Sequence, residues 1–301
     1  MDWSGLLRGE LRLTFDILAG LAVGMLVLRS GLADKLMKRL LPLLRRAGIG
    51  PVLGMALTIS LGSAKAGAAF IASALNEGRL GERPAKWGTL MLSFPAYLHR
   101  WPSTMVMAVS LAGLPGAIFG ATLLARSAAR FVLLAAILRR GEGESGEITE
   151  EAAGSARKVK FGKRMLKTLP VAWFFYGVAY ALVPWAEEAL RSWLLGGTAF
   201  LPLAGLTVAA ASIAHVSAAL ALAGGSLAAG DLTVAQAVFA LLFGNSLGIV
   251  TRLFRANAGY YFGLFSKETA KELLFWNFAT TSFFALITLA AAALPLIAEA
   301  M

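Results

Sequence analysis

From Leu273 to Ile297 the chain runs for twenty-five residues without a charge. A helix rises about 1.5 Å per residue and the hydrocarbon core of a bilayer is about 30 Å thick, so this run is long enough to cross it. Residues 11–30, 114–138 and 168–184 read as further uninterrupted spans. Composition agrees: 58% of the 301 residues are AVILMFWYC, only 15% are charged, and the mean hydropathy is +0.71. Those values exclude a soluble globular domain and a disordered chain. The net charge of +11 flanks apolar spans, so it reads as membrane orientation, and no nucleic-acid partner is expected. With no cysteine and two histidines, disulfides, thiolate catalysis and Cys/His metal sites are excluded, and no cofactor or metal is expected. Asp2 and Glu10 precede the first apolar run without a small-residue cleavage pattern, so the first span is expected to stay.

Between the plain spans lie four stretches of similar length broken by glycine, proline or charge: 51–75, 85–112, 199–227 and 234–264. Non-helical backbone at membrane depth needs protein or water around it. In 51–75 two apolar halves flank the small polar centre Gly62-Ser63-Ala64-Lys65-Ala66-Gly67. This reads as a re-entrant helical hairpin; a single buried helix with a close-packed glycine face is the alternative. Residues 85–112 contain Pro95 and then His99-Arg100-Trp101-Pro102, which predicts an unwound middle, because proline disfavours helix at its own position and the one before. Leu32 to Arg46 places Leu32, Leu36, Leu40 and Leu43 near one face and the basic residues elsewhere, as an amphipathic interfacial helix does.

The long polar stretch 140–167 divides the chain nearly in half. Sliding the chain on itself by 152 positions pairs Ser60 with Ser212, Leu75 with Leu227, Gly78 with Gly230, Leu80 with Leu232 and Arg100 with Arg252. The order plain span, amphipathic helix, interrupted segment, broken span, plain span occurs twice. Residues 1–139 are therefore the first repeat, 140–167 a cytoplasmic linker, and 168–301 the second repeat. If each hairpin enters and leaves on one face, a repeat crosses three times, and an odd number inverts the second copy. The predicted fold class is an all-α polytopic membrane protein. Its two halves form an inverted-topology repeat, each with transmembrane helices, an amphipathic interfacial helix and a re-entrant helical hairpin.

Charge tests the count. One side receives 31–50, 77–86, 139–167 and 265–272, with Lys35, Lys38, Arg39, Arg45 and Arg46, then Arg79, Arg83 and Lys86, and Lys158 to Lys167; the other has little beyond Arg8 and Arg191. The basic side is cytoplasmic, which makes this a multi-pass protein of the cell membrane with both termini extracytoplasmic.

The strings Leu57 to Phe70 (LTISLGSAKAGAAF), Asn76 to Leu80 (NEGRL) and Met91 to Pro102 (MLSFPAYLHRWP) resemble the nucleoside-recognition or Gate family of membrane proteins. That family is similar to the core of concentrative nucleoside transporters and to the gate regions of ferrous-iron transporters. The resemblance implies hairpins from opposite sides meeting at mid-membrane and a nucleoside as solute. Lys65 stands in the turn region and Leu92 where the family pattern has asparagine, while Asn245-Ser246 keeps the polar pair in the second copy.

Ionisable groups inside spans are costly and need a partner or a task. The candidates are Asp16, Lys65, His99, Arg100, Arg126, Arg130, His215, Arg252 and Arg255. Each has a plain reading, in which a cation donates to carbonyls freed at a helix break or snorkels to the interface. Six of the nine are Lys or Arg and only Asp16 is acidic, and half-helix N-termini add positive potential, so an anion fits better than a cation. The expected solute site is Ser63, Lys65, Ser93, Arg100, His215, Asn245, Ser246 and Arg252. No pair of carboxylates shares a span, so enzymatic acid–base hydrolysis lacks its parts, and no catalytic residue is expected. The sequence points to a transporter of a small polar solute, anionic or a nucleoside; the alternative is a non-transporting scaffold or regulatory partner of Gate-type complexes. The expected partners are the lipid bilayer, the solute and, compatibly, further copies of the chain.

The topology makes a direct prediction. Single cysteines at Arg8 and Ala300 are expected to react with an impermeant thiol reagent added outside intact cells, and a cysteine at Gly143 only after permeabilisation. Labelling in the opposite pattern would overturn the orientation.

Overall fold

The computed structural model describes residues 49–140 and 201–300, with Leu11 and scattered positions between 170 and 194. Apart from Leu11 and Arg140, the expected span 11–30, the amphipathic helix 32–46 and the polar linker lie outside the described residues, as does Asp16; of 168–184, the described positions are helical. Among the described residues the regular structure is entirely helical. Glu82–Arg139 and Lys267–Ala298 are long and apolar enough to cross a membrane, and Val234–Leu247 with Ile249–Leu264, bent by 51°, makes a third if it is one span.

Helix α1 (Pro51–Ser60) begins with proline at its first turn, where no amide hydrogen is needed. It stops at Leu61 and Gly62, and Ser63 in extended conformation starts α2 (Ala64–Asn76), its Oγ accepting from the Ala66 amide. The two helices pack on each other so closely that a methyl on Gly67 would lie 2.8 Å from the Ala56 carbonyl oxygen. Helix α2 ends at Gly78, which takes the left-handed conformation at φ 70°. The Gly78 amide donates to Leu75 and the Arg79 amide to Ala74 (3.1 and 2.9 Å), the double bond of a Schellman cap. Helix α3 (Glu82–Met91) follows, and α4 (Ser93–Arg139) starts after a break at Leu92.

Helix α4 is continuous in its hydrogen bonding except at Gly113, whose φ 56°, ψ −129° is open only to glycine. Gly113 reverses the chain. The Trp101 indole nitrogen donates to the Gly120 carbonyl at 3.1 Å, whereas nineteen residues of straight helix would separate them by about 28 Å. A methyl on Gly116 would overlap the Ala108 carbonyl. The predicted boundary between a span ending at 112 and one starting at 114 therefore falls on a sharp turn. The unwinding expected between Pro95 and Pro102 is absent: the interruption lies at Leu92, and Pro95 sits in the first turn of α4, where its missing donor costs nothing. Pro102 lies inside the helix.

The later elements are α5 (Leu203–Ala214), α6 (Val216–Ala228), α7 (Val234–Leu247), α8 (Ile249–Leu253), a π-helical turn (Phe254–Ala258), α9 (Gly259–Leu264) and α10 (Lys267–Ala300). Extended His215 separates α5 from α6, and those two helices also pack on each other. The starts of α5, α6 and α7 lie 152 positions after those of α1, α2 and α3, and α6 ends 152 positions after α2. Gly230, 152 positions after Gly78, is left-handed at φ 79°. Its amide donates to Leu227 and the Asp231 amide to Ser226 (3.1 and 2.9 Å), repeating the Schellman cap. Beyond α3 and α7 the correspondence ends, since the first series breaks at Leu92 and the second at Gly248.

The described residues form two compact units, 49–99 with 128–140 and 257–276, and 100–127 with 187–256 and 277–300. The first has a core of Ile49, Leu53, Phe70, Ile71, Trp87, Leu90, Leu134 and Tyr261. At one edge of this unit Lys86 pairs with Glu272 at 2.7 Å and Arg83 donates to the Ile137 carbonyl at 3.5 Å. Two segments assigned to one side by charge, 77–86 and 265–272, thus meet, beside the end of 114–138. The second unit has its own core of Phe119, Val208, Ile213, Leu220, Phe239 and Leu241. Large apolar side chains on α4 and α10, among them Val106, Leu114, Val132, Phe283, Leu286 and Leu294, are exposed, as a lipid-facing surface requires.

Adjacent glycines on α6 give a controlled test. A methyl on Gly224 would overlap the Leu111 carbonyl, whereas one on Gly225 would meet nothing within 4 Å. Gly224→Ala is expected to lower stability by about 1–3 kcal/mol through overpacking, and Gly225→Ala to hold or raise it. Thermal unfolding of both variants in detergent checks this, and equal effects would contradict the packing.

Candidate functional site

The second unit gathers charge at a helix break. Helix α7 is apolar apart from Gln236 near its start and Asn245-Ser246 near its end. It stops at Gly248, where a methyl would lie 2.8 Å from the Ile213 carbonyl and against the Arg252 guanidinium. Only glycine leaves room for both. Arg252, one turn beyond, reaches back across the break, and its Nη2 donates to the Asn245 carbonyl. The Asn245 side chain is held as well: its Oδ1 accepts from Arg126 Nη2 at 3.0 Å. Asn245 is only 5% exposed, so two guanidinium groups grip one buried residue, by its main chain and by its side chain.

A third arginine follows in the π-helical turn. Arg255 donates to Oε1 of Glu187, which lies in the helical stretch 187–194. Arg126 and Arg255 are close enough to repel the charge on Arg252, and Glu187 close enough to attract it. Three arginines and the carboxylate of Glu187 thus gather near this break. Arg252 Nη1 is buried without a hydrogen-bond partner among the described residues. Taking such charge out of water is costly unless an opposite charge accompanies it. Among the described residues no three His, Asp or Glu side chains gather.

The first unit holds a simpler arrangement. Arg130, 9% exposed, donates through Nη1 to Ser93 Oγ at 3.2 Å, and that hydroxyl donates to the Leu90 carbonyl at 3.0 Å, bracing the break at Leu92. Ser93 and Asn245 are themselves 152 positions apart. Both positions therefore present a polar side chain to an arginine of α4.

Of the residues expected to form the site, Asn245 and Arg252 come together. Ser246 is adjacent, with its hydroxyl turned back to the Leu242 carbonyl at 2.7 Å. Ser63 caps α2, Lys65 lies in the first turn of that helix, and with Ser93 they belong to the first unit. Arg100 and His99 are exposed, and the Arg100 carbonyl accepts from Ser103 and Thr104. His215 is exposed and starts α6 without using its side chain as a cap. Sequence reasoning counted Arg126 and Arg255 among intramembrane charges without placing them in the site, and it missed Glu187. The signal for Arg126 was a cation within an apolar span. Glu187 carried none, because a carboxylate in a short amphipathic stretch is unremarkable by pattern.

A comparison with protein-family models finds no match for this chain, and neither the curated proteins nor the solved structures give one.

Asn245 is the test of how the cluster is held. Hydrogen bonds to a charged group are worth about 1.5–3 kcal/mol, so Asn245→Ala is expected to destabilise by that order in chemical or thermal unfolding. Asn245→Asp, which supplies a carboxylate among the arginines, is expected to be at least as stable as the wild type. Equal losses for both variants would show that the amide acts by packing rather than by accepting from Arg126.

Proposed function

We propose that this chain is a membrane transporter of a small anionic solute, and that the solute binds beside Asn245 at the break between α7 and α8. The observation that carries the reading is the pair of guanidinium groups, Arg126 and Arg252, converging on one buried asparagine between apolar helices. Helix breaks at membrane depth recur where solutes bind, because freed backbone groups and side chains can line a cavity there. Arginine suits the task, since its planar fork holds a carboxylate or phosphate bidentately.

The same reading takes α1–α2 and α5–α6 as re-entrant hairpins of an inverted repeat. The matched helix starts, the two Schellman caps and the paired positions Ser93 and Asn245 support a duplicated unit. In this proposal the hairpins turn at Leu61 to Ser63 and at His215, and the chain lies in the cell membrane with its termini outside. The nucleoside implied by the family resemblance enters as a comparison solute.

Uptake into proteoliposomes is the test, with inorganic phosphate, succinate and uridine offered separately. The wild type is expected to accumulate an anion, and Arg252→Gln to lose at least nine-tenths of that uptake while remaining monodisperse and helical. Uptake of uridine alone would replace the anion with the nucleoside. Absence of uptake for all three solutes would favour a scaffold.

A further inference from the structure

Within the second unit a cavity of about 460 Å³ lies between α4, α7 and α10, its wall including Thr122 of α4, Val238 and Leu242 of α7, and Thr288, Ala291 and Pro295 of α10. We infer that it is a binding site for an uncharged long-chain alcohol, a molecule with an apolar body and one hydroxyl that donates to the Ala291 carbonyl. No residue of the arginine cluster lines the cavity, so the inference needs no transported solute. The wall accepts hydrogen bonds and does not donate them. Thr122 spends its hydroxyl proton on the Ile118 carbonyl at 2.7 Å, and Thr288 on the carbonyls of Phe284 and Ala285 at 3.1 and 3.0 Å. A hydroxyl has one proton and two lone pairs, so each threonine keeps only acceptor capacity for a guest. Pro295 stands inside α10 and has no amide hydrogen, which leaves the Ala291 carbonyl, four residues earlier, without its helical donor. Ala291 and Pro295 both line the cavity, so that carbonyl lies on the same face of the helix.

The other occupants fit less well. At about 30 Å³ per molecule, water would need roughly fifteen copies to fill this volume, and each buried water takes two to four polar partners. Two threonine oxygens and one carbonyl cannot hold them. A saturated lipid tail matches the apolar wall but brings no donor to a carbonyl that is costly to leave unbonded in hydrocarbon. A charged head is excluded because no ionisable side chain lines the cavity to receive it. An alcohol supplies one donor and an apolar body together. Ala291 and Pro295 are exposed, so the cavity opens sideways on the apolar surface of α10, and a molecule dissolved in the bilayer reaches it without passing through water.

Photolabelling separates these occupants. The full chain in phosphatidylcholine nanodiscs is irradiated with 1-dodecanol carrying a mid-chain diazirine, or with the methyl ether of that probe, which keeps the chain and lacks the donor. Labelled peptides are mapped by mass spectrometry. The alcohol is expected to label the peptides holding Thr122, Val238 and Ala291 roughly fivefold more than the ether does, the scale of one net hydrogen bond, and excess unlabelled 1-dodecanol to suppress that labelling. Pro295→Ala restores an amide hydrogen for the Ala291 carbonyl, and is expected to bring alcohol and ether level while α10 stays helical. Ala292→Phe, which fills the space from another wall position, is expected to abolish labelling by both probes. Pro295→Ala keeps the test decisive if the phenylalanine variant does not fold. Equal labelling of the wild type by alcohol and ether would assign the space to lipid tails, with the carbonyl left to water, and overturn the inference. Labelling confined to other peptides, or a preference for the alcohol that survives Pro295→Ala, would overturn it too. Absence of labelling by either probe would mean that another part of the chain fills the space, and the inference fails there as well.

Discussion

Everything in this chain depends on how backbone polar groups are satisfied where helices stop among apolar neighbours. Water is not there to bond a freed amide or carbonyl in hydrocarbon, so each interruption must carry its own partners. The protein meets that demand locally. Ser63 accepts from an amide of α2, Ser93 donates to the last turn of α3, and Arg252 returns across Gly248 to the carbonyl of Asn245. Ser212, fully buried on α5, donates to the Leu241 carbonyl of α7 at 3.1 Å and ties two helices together. Serine and asparagine perform this for a modest desolvation cost, whereas an arginine brings a full charge. The break at Gly248 is thus the expensive one, and it is where chemistry beyond structure is to be sought.

The arginine cluster also shows why plain counting of charges in spans is informative but incomplete. A cation can satisfy a carbonyl and still retain its charge, since a hydrogen bond to a neutral acceptor does not neutralise it. Arg126 and Arg252 both bond to Asn245, and neither bond supplies a negative charge. Glu187 is drawn on by Arg255 first. The geometry of the cluster is therefore fixed by neutral acceptors as well as by an ion pair.

Much of the helical layout was legible in the sequence, and the reason is local. Pro51, Ser63, Gly78, Gly113, Gly230 and Thr233 are residues whose backbone or capping preferences mark an end regardless of what packs nearby. Thr233 closes a full capping box with Gln236. The break of the second broken span was misplaced because proline was read as a breaker at every position, although near a helix start its missing amide is no loss. The site was partly legible. Asn245 and Arg252 share one stretch of chain, so periodicity and polarity point to both. Arg126 and Glu187 reach the cluster from elements far apart in sequence, and no local pattern carries that information.

Gly116, Gly224 and Gly244 each stand where a methyl would collide with a carbonyl oxygen of a facing segment: Ala108, Leu111 and Ala209. The direction a Cβ would take is also the direction of one Cα hydrogen, so at these points a Cα–H donates weakly to that oxygen. Registration between those helices is then written into main-chain atoms, and the surrounding leucines and alanines need only be apolar and small enough. A chain locked this way can exchange most of its side chains while its helix boundaries stay put. All three approaches lie in the second unit, whose helices are registered on one another in this way.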